Sequence, residues 1–186
     1  MRNILSTFLC PQNEDVQAFI QEKAIIFSQQ NLSKTTLVYW RSEDETEKEL
    51  VGYFTVALKH IQVHKKSVSH STAKRLHNFS ITKDLNEDDK LYILPAPLIG
   101  QLGKNFTGGN NLLISGSELL QMALNKIRKI QREIGGRFVY LECEDDPKLK
   151  KFYEENGFTC FGQRSLDGDE TGLRGRYLLQ YLRYLR

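Results

Sequence analysis

The chain has 186 residues, a hydrophobic fraction of 40% that includes ten Phe and eight Tyr, and a formal net charge of +3. Those values supply one sizeable core and argue against general disorder. The mild basic bias permits an anionic cofactor or RNA without demanding either. Cys10, Cys143 and Cys160 are widely spaced with no CxxC pair, which speaks against a disulfide framework and against a metal site of the zinc type. The run "MRNILSTFLCPQNED" is too short in apolar residues for a signal peptide, and no stretch approaches the roughly 18 apolar residues of a bilayer span. A soluble cytoplasmic protein with no membrane partner is expected.

In chain order, "NEDVQAFIQEKAIIFSQQN" predicts a helix capped by Asn13 or Asp15, with Val16, Phe19, Ile20, Ala24 and Phe27 on one face. "TTLVYW" and "LVGYFTVALKHIQV", joined by the charged turn "RSEDETEKE", predict an antiparallel hairpin. Residues from about 64 to 90 are polar and read as a flexible or variable insertion in a single domain spanning 1–186. That segment holds His64, His70 and His77; they and His60 receive no role, because exposed loop histidines are common. The pattern resumes in "LYILPAPLIGQLGKNF", where Pro95 and Pro97 imply an edge, a bulge or a splayed position.

Leu119, Leu120, Ala123, Ile127, Ile130 and Ile134 then form a helical stripe that ends at Gly135 and Gly136. "RFVYLECE" predicts a buried strand. "DDPKLKKFYEENG" predicts a short helix with Asp145 or Asp146 as cap, Pro147 at its first position and Gly157 as terminator. "FTCFGQRS" follows as a strand, "LDGDETGLRG" as a loop and "RYLLQYLRYL" as the last strand. This order places the chain in the α/β (mixed α+β) class, a mixed sheet with helices packed against it.

The stretch "NFTGGNNLLISGSELLQMALNK" carries the first chemical signal. Ser115 is followed three residues later by Glu118, just ahead of an apolar run, which is a capping box. Amide groups of Gly116, Ser117 and Glu118 then point out of a helix start whose dipole favours anions, and Gly116 allows close approach. Gly108 and Gly109 read as loop flexibility. Neither a GxxxxGK[ST] phosphate loop nor a GxGxxG dinucleotide loop is present.

The strand "LIGQLGKN", the loop and helix start "LLISGSELL", the next strand and "FYEENGF" together resemble the GNAT-type N-acetyltransferases. The resemblance implies a mostly antiparallel twisted sheet whose splayed central strand holds acetyl-CoA, here near Leu102, Gly103 and Lys104. It implies that Ile114, Ser115, Gly116 and Ser117 hold the pyrophosphate. The family's Q/R-x-x-G-x-G/A loop would begin at Leu112, and Ser115 and Ser117 stand at its small positions; no Gln or Arg heads the loop. "FYEENGF" matches the family's FYxxxGF, whose tyrosine protonates the departing thiolate, which makes Tyr153 the candidate general acid. Glu142 and Glu144, alternating on one face of a strand end opposite Cys143, are candidates for deprotonating the amine. The amino-terminal third resembles the GNAT branch that contains toxin–antitoxin acetyltransferases acting on aminoacyl-tRNA, with Pro11 where those relatives show glycine.

The resemblance thus implies acetyl-CoA as co-substrate, a primary amine as acceptor, no metal, and compatibility with a homodimer. Transfer to tRNA is the less favoured version; "KIRKIQR" and "RGRYLLQYLRYLR" are the stretches that would serve it. A non-catalytic acyl-CoA-binding module is the alternative from a different class.

Overall fold

The computed structural model describes residues 2–86, 88–168, 173 and 175–186. A short helix, α1 (Arg2–Leu5), opens the chain. Asn13 accepts the Val16 amide at 3.0 Å and starts α2 (Glu14–Ala18), which runs through a π-helical turn (Phe19–Lys23) into α3 (Ala24–Gln29). The predicted stripe is therefore interrupted by a wider turn, and the shift in phase keeps Val16, Phe19, Ile20 and Ala24 all buried. β1 (Lys34–Arg41) and β2 (Lys48–His64) form the expected antiparallel hairpin, with one irregularity between Val38 and Tyr39.

The polar stretch from 64 to 90 is built rather than loose. Ser69 accepts the Thr72 amide at 3.2 Å and caps α4 (His70–His77), which buries Ala73 and Leu76. β3 (Ile81–Asp84) then pairs antiparallel with β4 (Lys90–Lys104). Two apolar side chains three residues apart suffice to seat a two-turn helix but give almost no periodic signal in sequence. Glu87, within that stretch, lies outside the described residues.

Beyond β4 come α5 (Gly116–Ile134), β5 (Phe138–Cys143), α6 (Pro147–Glu155), β6 (Thr159–Ser165) and β7 (Tyr177–Tyr184). In the predicted loop "LDGDETGLRG", residues 169–172 and 174 lie outside the described residues. The seven strands form one sheet in the order β1-β2-β4-β5-β7-β6, with β3 pairing β4 off that path. Pairs β1/β2, β3/β4, β5/β7 and β6/β7 are antiparallel, so the class is the mixed, mostly antiparallel one that was expected. Pro95 and Pro97 sit in a strand internal to that order, not at a sheet edge.

The chain divides into two compact units. The first comprises Met1–Ala57, Ile99–Lys126 and Gly168–Leu173, with a core of Leu5, Phe8, Val16, Phe19, Ile20 and Tyr53 among others. The second comprises Leu58–Leu98, Ile127–Asp167 and Arg174–Arg186, cored by residues such as Val63, Leu76, Leu94, Phe138, Phe161 and Leu182. No helix among the described residues is long and apolar enough to cross a membrane.

Candidate active site

In the first unit, the loop after β4 is anchored by one buried asparagine. Asn105 is 3% exposed, donates to the Leu50 carbonyl at 2.9 Å and accepts from the amides of Leu9 and Thr107. A buried side-chain amide with its donor and acceptor sides both engaged fixes a loop firmly. Gly108 (φ 60°) and Gly109 (φ 83°) are both left-handed, so they are required by the turn and are not slack as expected from sequence. The Lys104 ammonium then reaches over the loop and donates to the carbonyls of Asn111 at 2.7 Å and Ile114 at 3.0 Å.

The capping box forms as the sequence predicts. Glu118 donates its amide to Ser115 Oγ at 3.1 Å, and its carboxylate accepts the Ser115 amide at 2.8 Å. This closes the amides of Ser115 and Glu118 to any ligand, a consequence of the box that the expectation of three outward amides overlooked. Gly116 and Ser117 are the first two residues of α5, at the end of the helix where its dipole favours anions. The side chain of Ile114 is buried and belongs to the core. Gly103 likewise meets packing: a Cβ there would lie 2.4 Å from Val16 Cγ1.

The Ser115 amide and hydroxyl hold the Glu118 carboxyl below its ordinary value, with Lys104 adding to the effect. A depressed carboxyl stabilises the fold above its unfolded pKa, near 4.3 for Glu, and that contribution disappears as pH falls through the folded value. Ser115→Ala should cost about 1 kcal/mol in urea titration. Glu118→Gln should show a shallower loss of stability than the parent below about pH 4. An unaltered acid limb in Glu118→Gln would remove the box from the stability of this helix.

In the second unit, Asp146 accepts the amides of Lys148 and Leu149 at 2.7 and 3.2 Å and starts α6, with Pro147 at its first position. The helix buries Tyr153, whose ring packs on Phe152, Phe158 and Tyr181 with centroids 5.1, 6.0 and 6.1 Å away. Burial, with a smaller contribution from Cys143, holds the Tyr153 phenol well above the ordinary tyrosine value. Burial also pushes the Cys143 thiol up to about 12. A phenol in such surroundings is a proton donor that stays protonated.

The two acidic candidates part company. Glu142 Oε2 accepts from Arg164 Nε at 2.8 Å and pairs with its other terminal nitrogen at 2.7 Å, while Oε1 accepts from Gln180 at 2.9 Å. Its two oxygens are committed to tying β5 to β6 and β7, which makes it a strut rather than a base. β5 ends at Cys143, so Glu144 lies past the strand and does not share the alternating face assigned to it; its carbonyl accepts the Asp146 amide at 2.8 Å in the turn into α6.

Sequence inspection missed a neighbouring group. Tyr177 donates to Asp145 Oδ2 at 2.6 Å, and the Lys150 ammonium pairs with Oδ1. The two partners hold the Asp145 carboxyl below its usual range, and the same hydrogen bond raises Tyr177. Lys150 one turn into a helix that follows Asp145 was a readable signal; the 32-residue separation to Tyr177 was not.

No family model and no curated protein matches the chain. Among solved structures it is similar to AtaT complexed with acetyl-methionyl-tRNAfMet, at 16% identity and a TM-score of 0.60, covering 94% of this chain and 85% of that one. It is also similar to a tyrosine-to-phenylalanine mutant of KacT, at 16% identity and 0.59, covering 96% and 86%. A third is the corresponding type of mutant of the AtaT toxin bound to the C-terminus of the antitoxin AtaR and acetyl-CoA, at 14% and 0.56, covering 95% and 83%. At these identities the likeness establishes the fold, which is the GNAT fold.

Proposed function

We propose that the chain is an acetyl-CoA-dependent N-acetyltransferase in which Tyr153 is the general acid. The observation that carries this is the buried Tyr153 ring on α6 directly after β5, in a chain with the fold of acetyl-CoA-bound AtaT. The residues present fit the co-substrate's anionic part: the dipole at the start of a 19-residue helix, a glycine at its first position and the Lys104 ammonium beside it. In this reading the backbone of Leu102 to Lys104 positions the pantetheine, and the amides of Gly116 and Ser117 hold the pyrophosphate. Tyr153 gives its proton to the thiolate sulfur as the amine nitrogen bonds to the acetyl carbon and the C–S bond breaks. Orientation of two reactants supplies much of the rate, so the chemistry asks for no metal. Glu144 is retained as the carboxylate that takes the amine proton.

A second reading concerns the acceptor. The AtaT neighbour is complexed with acetyl-methionyl-tRNAfMet, which favours an aminoacyl-tRNA amine as substrate. Calorimetric titration with acetyl-CoA, followed by thiol release with a panel of small amines and charged tRNA, tests both. Binding heat and thiol release are expected, with charged tRNA the stronger acceptor. Binding without release across the panel would make the chain a non-catalytic acyl-CoA module, and no binding would end the reading.

A further inference from the structure

At the opposite end of β5 from Cys143 and the helix that carries Tyr153, the second unit holds a hollow of about 660 Å³. Its wall is formed by the last turns of α5, the glycine turn, the residue leading into β5 and the segment after β7. These elements are fastened together: Gln131 donates to the Phe138 carbonyl at 2.8 Å, and the Leu185 amide donates to the Arg137 carbonyl at 2.7 Å. The backbone that carries the lining residues is therefore tied to the core.

The lining is chemically one-sided. Arg128, Arg132, Arg137 and Arg186 border it, and none of its described lining residues has a carboxylate side chain. Arg132 and Arg137 are exposed. Like charges gathered in one concavity repel, and field lines focused there raise the local concentration of anions. Arg183, outside the lining, has its affinity for its proton lowered mainly by burial, with a smaller contribution from Arg128. In the wall stands Phe79, 39% exposed, its ring held edge-on against Phe138 at 6.2 Å and tilted against Tyr184 at 6.4 Å. An aromatic ring fixed from behind and open in front is a stacking platform.

We propose that this hollow is a docking site for a single-stranded polynucleotide, whose phosphates lie against Arg132 and Arg137 while one base stacks on Phe79. Guanidinium groups match phosphate oxygens two at a time, and stacking on an aromatic side chain is how proteins hold unpaired bases. An acidic peptide would engage the arginines but leave Phe79 without a partner. The site is separate from the acyl-transfer residues and its occupancy is read without turnover, so the two proposals fail independently.

The test is fluorescence anisotropy of the full chain with a short labelled oligouridylate, an oligothymidylate of equal length and a polyglutamate peptide, across a salt series. Both oligonucleotides should bind more tightly than polyglutamate, whose weaker binding should not respond to Phe79→Leu; tighter binding of the uridylate would assign RNA as the source. The doubly substituted Arg132→Gln, Arg137→Gln chain should lose about 1.4 from the slope of log K against log salt, roughly 0.7 for each lost phosphate contact. Phe79→Leu keeps apolar packing on Phe138 and should weaken binding roughly 5- to 100-fold, while Phe79→Trp should restore it. Unchanged affinity and slope in the arginine variant would overturn the proposal, as would equal binding of polyglutamate with no effect of Phe79→Leu.

Discussion

Tyr153→Phe is expected to lower kcat for acetyl transfer by about 10²- to 10⁴-fold, the usual contribution of a positioned general acid. The substitution isolates the hydroxyl, because the ring contacts with Phe152, Phe158 and Tyr181 do not involve it. The KM for acetyl-CoA should stay near the parent value, since the proton is transferred only as the C–S bond breaks. The pH profile adds an independent readout. With its pKa raised by burial, the phenol remains the protonated form well past neutrality, so the parent's kcat should show no alkaline limb from this group between pH 7 and about 10. Stability has the opposite behaviour: a raised folded pKa stabilises the fold fully below the unfolded value near 10, and that contribution is lost as pH rises through the folded value. Tyr153→Phe should therefore be less sensitive to alkaline unfolding than the parent. Full turnover in the phenylalanine variant would remove Tyr153 from the mechanism.

What sequence could show depended on how local each signal was. The Ser115–Glu118 box, the Asn13 cap and the Asp146–Pro147 start are short-range patterns, and each formed at the predicted residues. The hairpin of β1 and β2 was also readable, because two apolar runs flank one charged turn. α4 and β3 were not, since a two-turn helix with two buried side chains leaves no periodicity to detect. The π turn at Phe19–Lys23 escaped because it preserves an apolar face while breaking the 3.6-residue phase. In the site, the fates of Glu142 and Asp145 were hidden for a different reason. Their partners Arg164, Gln180 and Tyr177 lie 22, 38 and 32 residues away and meet them only when β5, β6 and β7 are laid side by side. Gln131 is a nearer case: a polar residue of α5, it is buried because it bonds the carbonyl of Phe138, seven residues on, across the glycine turn.

Gly103→Ala is expected to destabilise the protein by about 1–3 kcal/mol, the range for overpacking a filled core. The added Cβ would stand 2.4 Å from Val16 Cγ1 and 3.2 Å from Tyr53 Cε1. Neither neighbour has room to give way. Val16 is buried in α2 and, being β-branched, is confined to one rotamer in a helix. Tyr53 is 0% exposed, packs edge-on against Phe8 at 5.2 Å, and donates its hydroxyl to the Val16 carbonyl at 2.5 Å. Relief must then come from moving α2 away from β4, which disturbs the strand assigned to the pantetheine. Val16→Ala removes the obstructing methyl groups, so the double variant should cost less than the sum of the single ones by about 1 kcal/mol or more. If acetyl-CoA affinity falls in Gly103→Ala and returns in the double variant, the glycine serves the cofactor by letting the helix close on the strand, and not by touching the cofactor. Urea titrations of the four chains decide the matter: a Gly103→Ala chain as stable as the parent would refute the packing account, and a strictly additive double variant would refute the role of Val16.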